Sequence, residues 1–165
     1  MENKILLHWT YTLEQWDDFV TIEKANKKED NIYFGIGIVI LGTISLLLFR
    51  NTSFLMALCF SVPFAILIPW LRMIFSYSHL KKGVENPQIK VSNEFLTVNT
   101  KKIVLFNKYK RVKSLKIIDA KNNQKLLEFD VEWITRKGPT NDEFRVLIPP
   151  NKLKEAEQFI QKFGF

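Results

Sequence analysis

Two uninterrupted apolar runs dominate the pattern of hydrophobic and polar positions along the chain. The runs IYFGIGIVILGTISLLLF (32–49) and FLMALCFSVPFAILIPWL (54–71) have no charged side chain. As helices, each would be about 27 Å long, close to the hydrocarbon thickness of a bilayer, about 30 Å. Neither run has the polar face that a surface helix of a soluble domain needs. The pattern predicts two transmembrane helices, which we place at 32–49 and 54–75.

The short polar break between the runs, residues 50–53, predicts a hairpin rather than one long helix. One helix would be about 60 Å long and would hold Arg50 near its centre, at a cost of about 2.5–3.5 kcal/mol. In a hairpin that turns at 51–52, residues equally far from the turn share a depth, so Tyr33 and Trp70 are level as interface anchors. The same rule brings small residues together as candidate helix-packing positions. These residues are Gly42, Ser45, Ala57, Ser61 and Ala65.

The distribution of charge predicts the orientation of the hairpin. Residues 1–31 carry a net charge of −3, residues 32–71 carry +1, and residues 72–165 carry +9. The single charge of the middle block is Arg50 in the turn, whereas six basic residues flank the hairpin: Lys24, Lys27, Lys28, Arg72, Lys81 and Lys82. Lys and Arg concentrate on the cytoplasmic side of membrane helices. The turn at 50–53 is therefore predicted to be extracytoplasmic, and both termini cytoplasmic.

Shorter periodic patterns flank the hairpin. Residues 1–31 read as a strand over 4–11 and an amphipathic helix from Thr12, whose capping box is completed by Gln15. Residues 88–148 alternate as about six short strands, with RKGPTND (136–142) read as a turn. Asn151 is expected to cap a last helix, whose apolar stripe is Leu153, Ala156, Ile160 and Phe163. The predicted class is an α+β membrane protein: a two-helix transmembrane hairpin plus a small β-sheet or half-barrel, closed by a C-terminal amphipathic helix.

This order of elements, ending in RVLIPPNKLKEAEQFIQKF (145–163), resembles the YcxB-like bacterial membrane proteins. The resemblance implies a cytoplasmic pleckstrin-homology-like (PH-like) domain over 76–165 and a multi-pass protein of the bacterial inner membrane. It also implies that the strand ILLHWTY packs with the C-terminal domain. It brings no catalytic motif.

Motifs for chemistry are lacking in the sequence. His8 and His79 have no partners at metal-ligand spacing, and Cys59 is read as an apolar filler in the second run. No phosphate-binding glycine loop and no nucleophile elbow is present. We therefore expect neither an enzyme nor a cofactor or metal site.

The most unusual charge pattern is KKIVLFNKYKRVKSLK, residues 101–116, which has seven basic residues and no acid. The seven are a candidate contact for an anionic surface: Lys101, Lys102, Lys108, Lys110, Arg111, Lys113 and Lys116. We expect a module that binds a membrane or cytoplasmic protein at the inner membrane face. The alternatives are an anionic-lipid sensor working through 101–116 and an accessory or immunity-type subunit of a larger membrane complex. The lipid bilayer is the other expected partner, nucleic acid is not expected, and a homodimer is left open.

Overall fold

The computed structural model describes residues 4–163 and shows a mixed α+β protein with two long apolar helices and two small antiparallel sheets. Within that range the helices and strands run as follows: β1 Ile5–Thr10, α1 Leu13–Arg50, α2 Phe54–Phe75, β2 Gln88–Ser92, β3 Phe95–Val98, β4 Lys101–Val104, β5 Lys110–Asp119, β6 Lys125–Thr135, β7 Gly138–Leu147 and α3 Leu153–Phe163. Two 3₁₀ turns, Lys121–Asn123 and Pro150–Lys152, precede β6 and α3.

The first helix is longer than the sequence pattern predicts. The capping box is confirmed, because Thr12 N–H donates to Gln15 Oε1 and Gln15 N–H donates to Thr12 Oγ1, both over 3.2 Å. The sequence suggested an amphipathic helix that ends before a separate apolar one. α1 instead continues for 38 residues, because the charged stretch 24–31 contains no proline or glycine to stop it. The composition of α1 changes from charged to apolar near residue 32, but its backbone stays helical across this point.

A three-residue turn joins the two long helices. Asn51 has a φ of 48°, a left-handed conformation that asparagine tolerates just beyond a helix end. Ser53 caps α2 by accepting a hydrogen bond from Met56 N–H. Pro63 and Pro69 lie inside α2, which continues through both.

Seven strands form two antiparallel sheets in the described part of the chain, ordered β1-β2-β3-β4 and β5-β6-β7. The expected packing of the N-terminal strand with the C-terminal domain is confirmed, and it takes the form of strand pairing: Trp9 pairs with Ile89 in the β1–β2 ladder. The reading of RKGPTND as a turn was wrong for most of its length. β7 begins at Gly138, opposite Thr135, so residues 139–142 extend a largely exposed hairpin.

The chain divides into two compact units. The sheet unit comprises Met1–Phe19 and Lys82–Phe165, and the helical unit comprises Val20–Lys81. The sheet unit is therefore built from the two ends of the chain, on either side of the apolar hairpin.

Aromatic residues from the N-terminal segment contribute strongly to the core of the sheet unit. Trp9, Trp16 and Phe19 are at most 2% exposed. The Tyr11 hydroxyl donates to Leu147 O over 2.6 Å, and burial raises the pKa of this phenol well above its usual value. From α3, the buried residues are Ala156 and Phe159. Phe159 was missing from the predicted stripe.

Candidate functional site

A groove of about 220 Å³ lies between the edge strand β1 and helix α3 of the sheet unit. Its lining includes buried Leu7 and Phe159, and exposed Ile5, Gln158 and Lys162. An edge strand presents backbone N–H and C=O groups that its own sheet leaves unpaired. The groove thus combines apolar side chains with a strand edge, which is the combination that an added extended peptide uses.

The wall of this groove on α3 is held in place by polar contacts. Trp9 Nε1–H donates to Glu155 Oε1 over 3.3 Å, and Lys152 Nζ donates to the other carboxylate oxygen over 2.8 Å. The rings of Phe159 and Phe163 contact each other with centroids 4.9 Å apart. Sequence periodicity identified the helix but not the groove, because the groove depends on which strand lies beside it.

The basic stretch 101–116 is divided between the two sheets. Lys101 and Lys102 lie on β4, Lys108 lies in the β4–β5 turn, and the remaining four lie on β5. Lys110 Nζ lies 4.0 Å from the centroid of the Trp133 ring. The stretch is therefore not one continuous face.

Arg111 and Lys116, two members of the basic stretch, form ion pairs with β6. Arg111 binds Glu132, with Nε 2.7 Å from Oε2, and Lys116 Nζ lies 3.0 Å from Glu128 Oε1. Arg145 Nε also donates to Glu128, over 2.8 Å. Burial works to raise the pKa of Glu128, but the hydrogen bonds from Arg145 and Lys116 outweigh it and lower that pKa. The contact with Glu128 raises the pKa of Lys116.

In the helical unit, the structure places some of the expected small residues at the contact between α1 and α2. A Cβ atom on Gly42 would lie 2.8 Å from Ser61 Oγ, so these two residues touch. Ala57 and Ser61 are buried, whereas Ser45 is exposed and Ala65 is half-buried. Sequence reasoning missed the other close approach, at Gly35, where a Cβ would lie 2.9 Å from Ala65 O. The depth rule sets Gly35 level with Ile68, about one helical turn from Ala65, and could have indicated this region of α2.

The outward surface of the two helices is apolar. Only 11% of the most apolar 18-residue window of each helix is buried, and both helices are long and apolar enough to cross a membrane. Tyr33 and Trp70, the expected interface anchors, are 66% and 57% exposed. The sequence analysis expects a multi-pass membrane protein, and the described residues contain two candidate membrane spans.

Residues 4–163 contain no group of three or more His, Cys, Asp or Glu side chains that could hold a metal ion. Of the two histidines, His8 Nε2 lies 3.1 Å from Gln88 Oε1 in the β1–β2 ladder. Cys59 is exposed on α2.

Comparison with protein-family models, with curated proteins and with solved structures finds no match to this chain. The class that the structure itself defines is a mixed α+β protein with two helices suited to a membrane. The YcxB-like family and its PH-like fold stay predictions.

Proposed function

We propose that this chain is a non-enzymatic integral membrane protein with two transmembrane helices, which presents its sheet unit for protein interaction at the cytoplasmic face of a bacterial inner membrane. The pairing of β1 with β2 carries the proposal. The two apolar helices lie between these strands in the chain, so a chain that crosses the membrane must return to the same side before β2 begins. Two crossings satisfy that requirement.

The exposure of the apolar helices supports insertion into a membrane. A helix in the core of a soluble protein would have most of its residues buried, but here only 11% of the residues in each apolar window are buried. Arg50, the last residue of α1, is the one charge beside the turn, and Lys24, Lys27 and Lys28 precede the first apolar run. This asymmetry supports a cytoplasmic sheet unit. The sheet unit has one sheet of four strands and one of three, followed by helix α3, and this order of elements supports the PH-like resemblance.

The groove between β1 and α3 supports a protein partner that is bound as an extended segment. Such a segment would pair with the free edge of β1 and place alternate side chains against Phe159 and Phe163. Lys4, Glu155 and Lys162 also line the groove, so a bound segment could place polar side chains near these charges and apolar ones near the phenylalanines.

A photo-crosslinking amino acid at Ile5 or Gln158 of the full chain, in native membranes, tests this function. We expect one defined protein adduct from both positions and none from the matched exposed position Thr100. Ile5→Asp should reduce the Gln158 adduct at least about tenfold, because it removes an apolar contact worth about 1.5–3 kcal/mol.

Adducts at Thr100 as strong as those at Ile5 would contradict a specific groove. Adducts only from a probe at Leu48, which is 71% exposed on α1, would replace the proposal with an accessory subunit that binds through its hairpin.

A further inference from the structure

Two turns lie side by side at one end of the β5–β6–β7 sheet. In the first, Asn107 N–H donates to Lys110 O over 2.9 Å, and Asn107 Oδ1 accepts from the backbone N–H groups of Tyr109 and Lys110. In the second, Thr135 Oγ1 donates to Gly138 O over 2.6 Å. Ile134 N–H donates to Tyr109 O over 2.8 Å and joins the two. We call residues 106–110 and 133–137 the basic-aromatic tip.

Large apolar side chains are exposed on the basic-aromatic tip. Phe106, Tyr109, Trp133 and Ile134 are between 42% and 56% exposed. Neighbouring residues of a strand point to opposite faces, so Trp133 and Ile134 expose apolar surface on both sides of the same ribbon. A sheet that packs by one face on a core would keep polar residues on the other face. The tip therefore has more exposed apolar surface than the packing of its own sheet requires.

The charge of the basic-aromatic tip has one sign. Its ten residues include four apolar side chains, no acid and four basic residues: Lys108, Lys110, Arg136 and Lys137. The nearest acid on β6, Glu132, is paired with Arg111. On β7 the acid nearest in register is Asp142, opposite Val131. The backbone carbonyl of Glu94 accepts the N–H groups of Leu105 and Phe106. The tip thus combines exposed aromatic and aliphatic side chains with cationic ones.

We infer that the basic-aromatic tip binds the headgroup region of an anionic lipid bilayer. Tyr and Trp favour the interface between hydrocarbon and water, and basic side chains are attracted to anionic headgroups. The inference rests on the proposed membrane anchoring, because the apolar hairpin keeps the sheet unit beside a bilayer. It extends the basic stretch 101–116 by a second turn, 133–137, which comes from a distant part of the sequence.

Fluorescence quenching of the full chain in lipid nanodiscs tests this contact. An environment-sensitive fluorophore is attached to Ile134→Cys in a Cys59→Ser background, and the quencher is a spin-labelled lipid. We expect several-fold stronger quenching in phosphatidylcholine with phosphatidylglycerol than in phosphatidylcholine alone. Lys125→Cys, at the opposite end of the β5–β6 ribbon, should not be quenched in either lipid. Raised salt should weaken the quenching at Ile134→Cys, since salt screens the attraction.

Substitution of the tip lysines tests whether the contact between the tip and the bilayer depends on their charge. Lys108→Gln and Lys137→Gln should each lower the ratio of bound to unbound tip about fivefold. The matched control Lys154→Gln, at an exposed position on α3, should leave it unchanged. Loss of the signal in Lys154→Gln, or no effect of the two tip substitutions, would overturn the inference.

The native Cys59, labelled in the wild-type chain, separates this inference from the anchoring on which it rests. Quenching at Cys59 in both lipids shows that the hairpin is inserted. If Cys59 is quenched but Ile134→Cys is not, the inference is overturned while the anchoring stands, and the tip becomes a surface for a protein. If Cys59 is not quenched in either lipid, the anchoring and the inference both fail.

Discussion

A chain that joins residues 1–19 to residues 82–165 through a short Gly-Ser linker is expected to fold as a water-soluble domain. These two segments form the sheet unit, and the apolar helices between them contribute nothing to its strands. Gly83 N–H donates to Asp17 Oδ1 over 2.9 Å, so the two ends to be joined already lie close together. A linker of a few residues can therefore replace the helical unit.

Residues 82–165 alone are expected to remain unfolded or to aggregate. This fragment lacks Trp9, Trp16 and Phe19, each of which is almost fully buried. Removal of one buried Trp or Phe side chain costs about 3–5 kcal/mol, and a whole domain is stable by about 5–15 kcal/mol. The loss of three such side chains, about 9–15 kcal/mol, is as large as the whole stability of a domain, and the β1–β2 ladder is lost as well.

Amide dispersion in NMR spectra and cooperative thermal unfolding should be seen for the joined chain and not for residues 82–165 alone. The matched control is the joined chain with Leu13→Ala, since Leu13 is 52% exposed and its truncation should cost little. Trp9→Ala in the joined chain should cost about 3–5 kcal/mol. Cooperative unfolding of residues 82–165 alone would show that the N-terminal strand is dispensable and would contradict this fold.

Gly35→Ala is expected to weaken the packing of the two long helices, whereas Gly37→Ala is not. A Cβ at Gly35 would lie 2.9 Å from Ala65 O, a backbone atom, so the helices would have to move apart. At Gly37 a Cβ would meet nothing within 4 Å. We expect Gly35→Ala to cost about 1–3 kcal/mol through overpacking and Gly37→Ala to gain up to about 1 kcal/mol through helix propensity.

Thermal denaturation of the full chain in detergent micelles, followed by circular dichroism, measures this difference. The two substitutions change the same residue type on the same helix, so their effects on propensity cancel in the comparison. Gly42→Ala should also weaken the packing, because its Cβ would meet the Ser61 side chain. Adding Ser61→Gly to this variant should restore the space and rescue its stability. Equal effects of Gly35→Ala and Gly37→Ala would contradict the close contact between α1 and α2.

The elements with a strong hydrophobic period could be predicted from the sequence. The capping box at Thr12 and the short strands over 88–148 are predicted from local patterns, and the structure has both. These features depend only on neighbours within a few residues. The α+β class and the two apolar helices were predicted from the same kind of pattern.

Features that depend on neighbours distant in sequence could not be predicted. The groove between β1 and α3 requires that the first strand lies beside the last helix. The basic-aromatic tip requires that Trp133 lies beside Lys110, a pairing set by the β5–β6 register. The extent of β7 was missed because its first half is polar and exposed, and such a strand resembles a loop in composition.

The account depends most on the claim that the apolar hairpin crosses a membrane while the two flanking segments stay on one side. Single cysteines in a Cys59→Ser background, at Asn51, Glu14 and Glu157, test this claim by labelling with a membrane-impermeant thiol reagent. Asn51 lies in the turn between α1 and α2, and Glu14 and Glu157 are exposed on the two halves of the sheet unit. We predict that Asn51→Cys is labelled in intact cells and that the other two are labelled only after lysis. Labelling of all three, or of none, before lysis would contradict the claim.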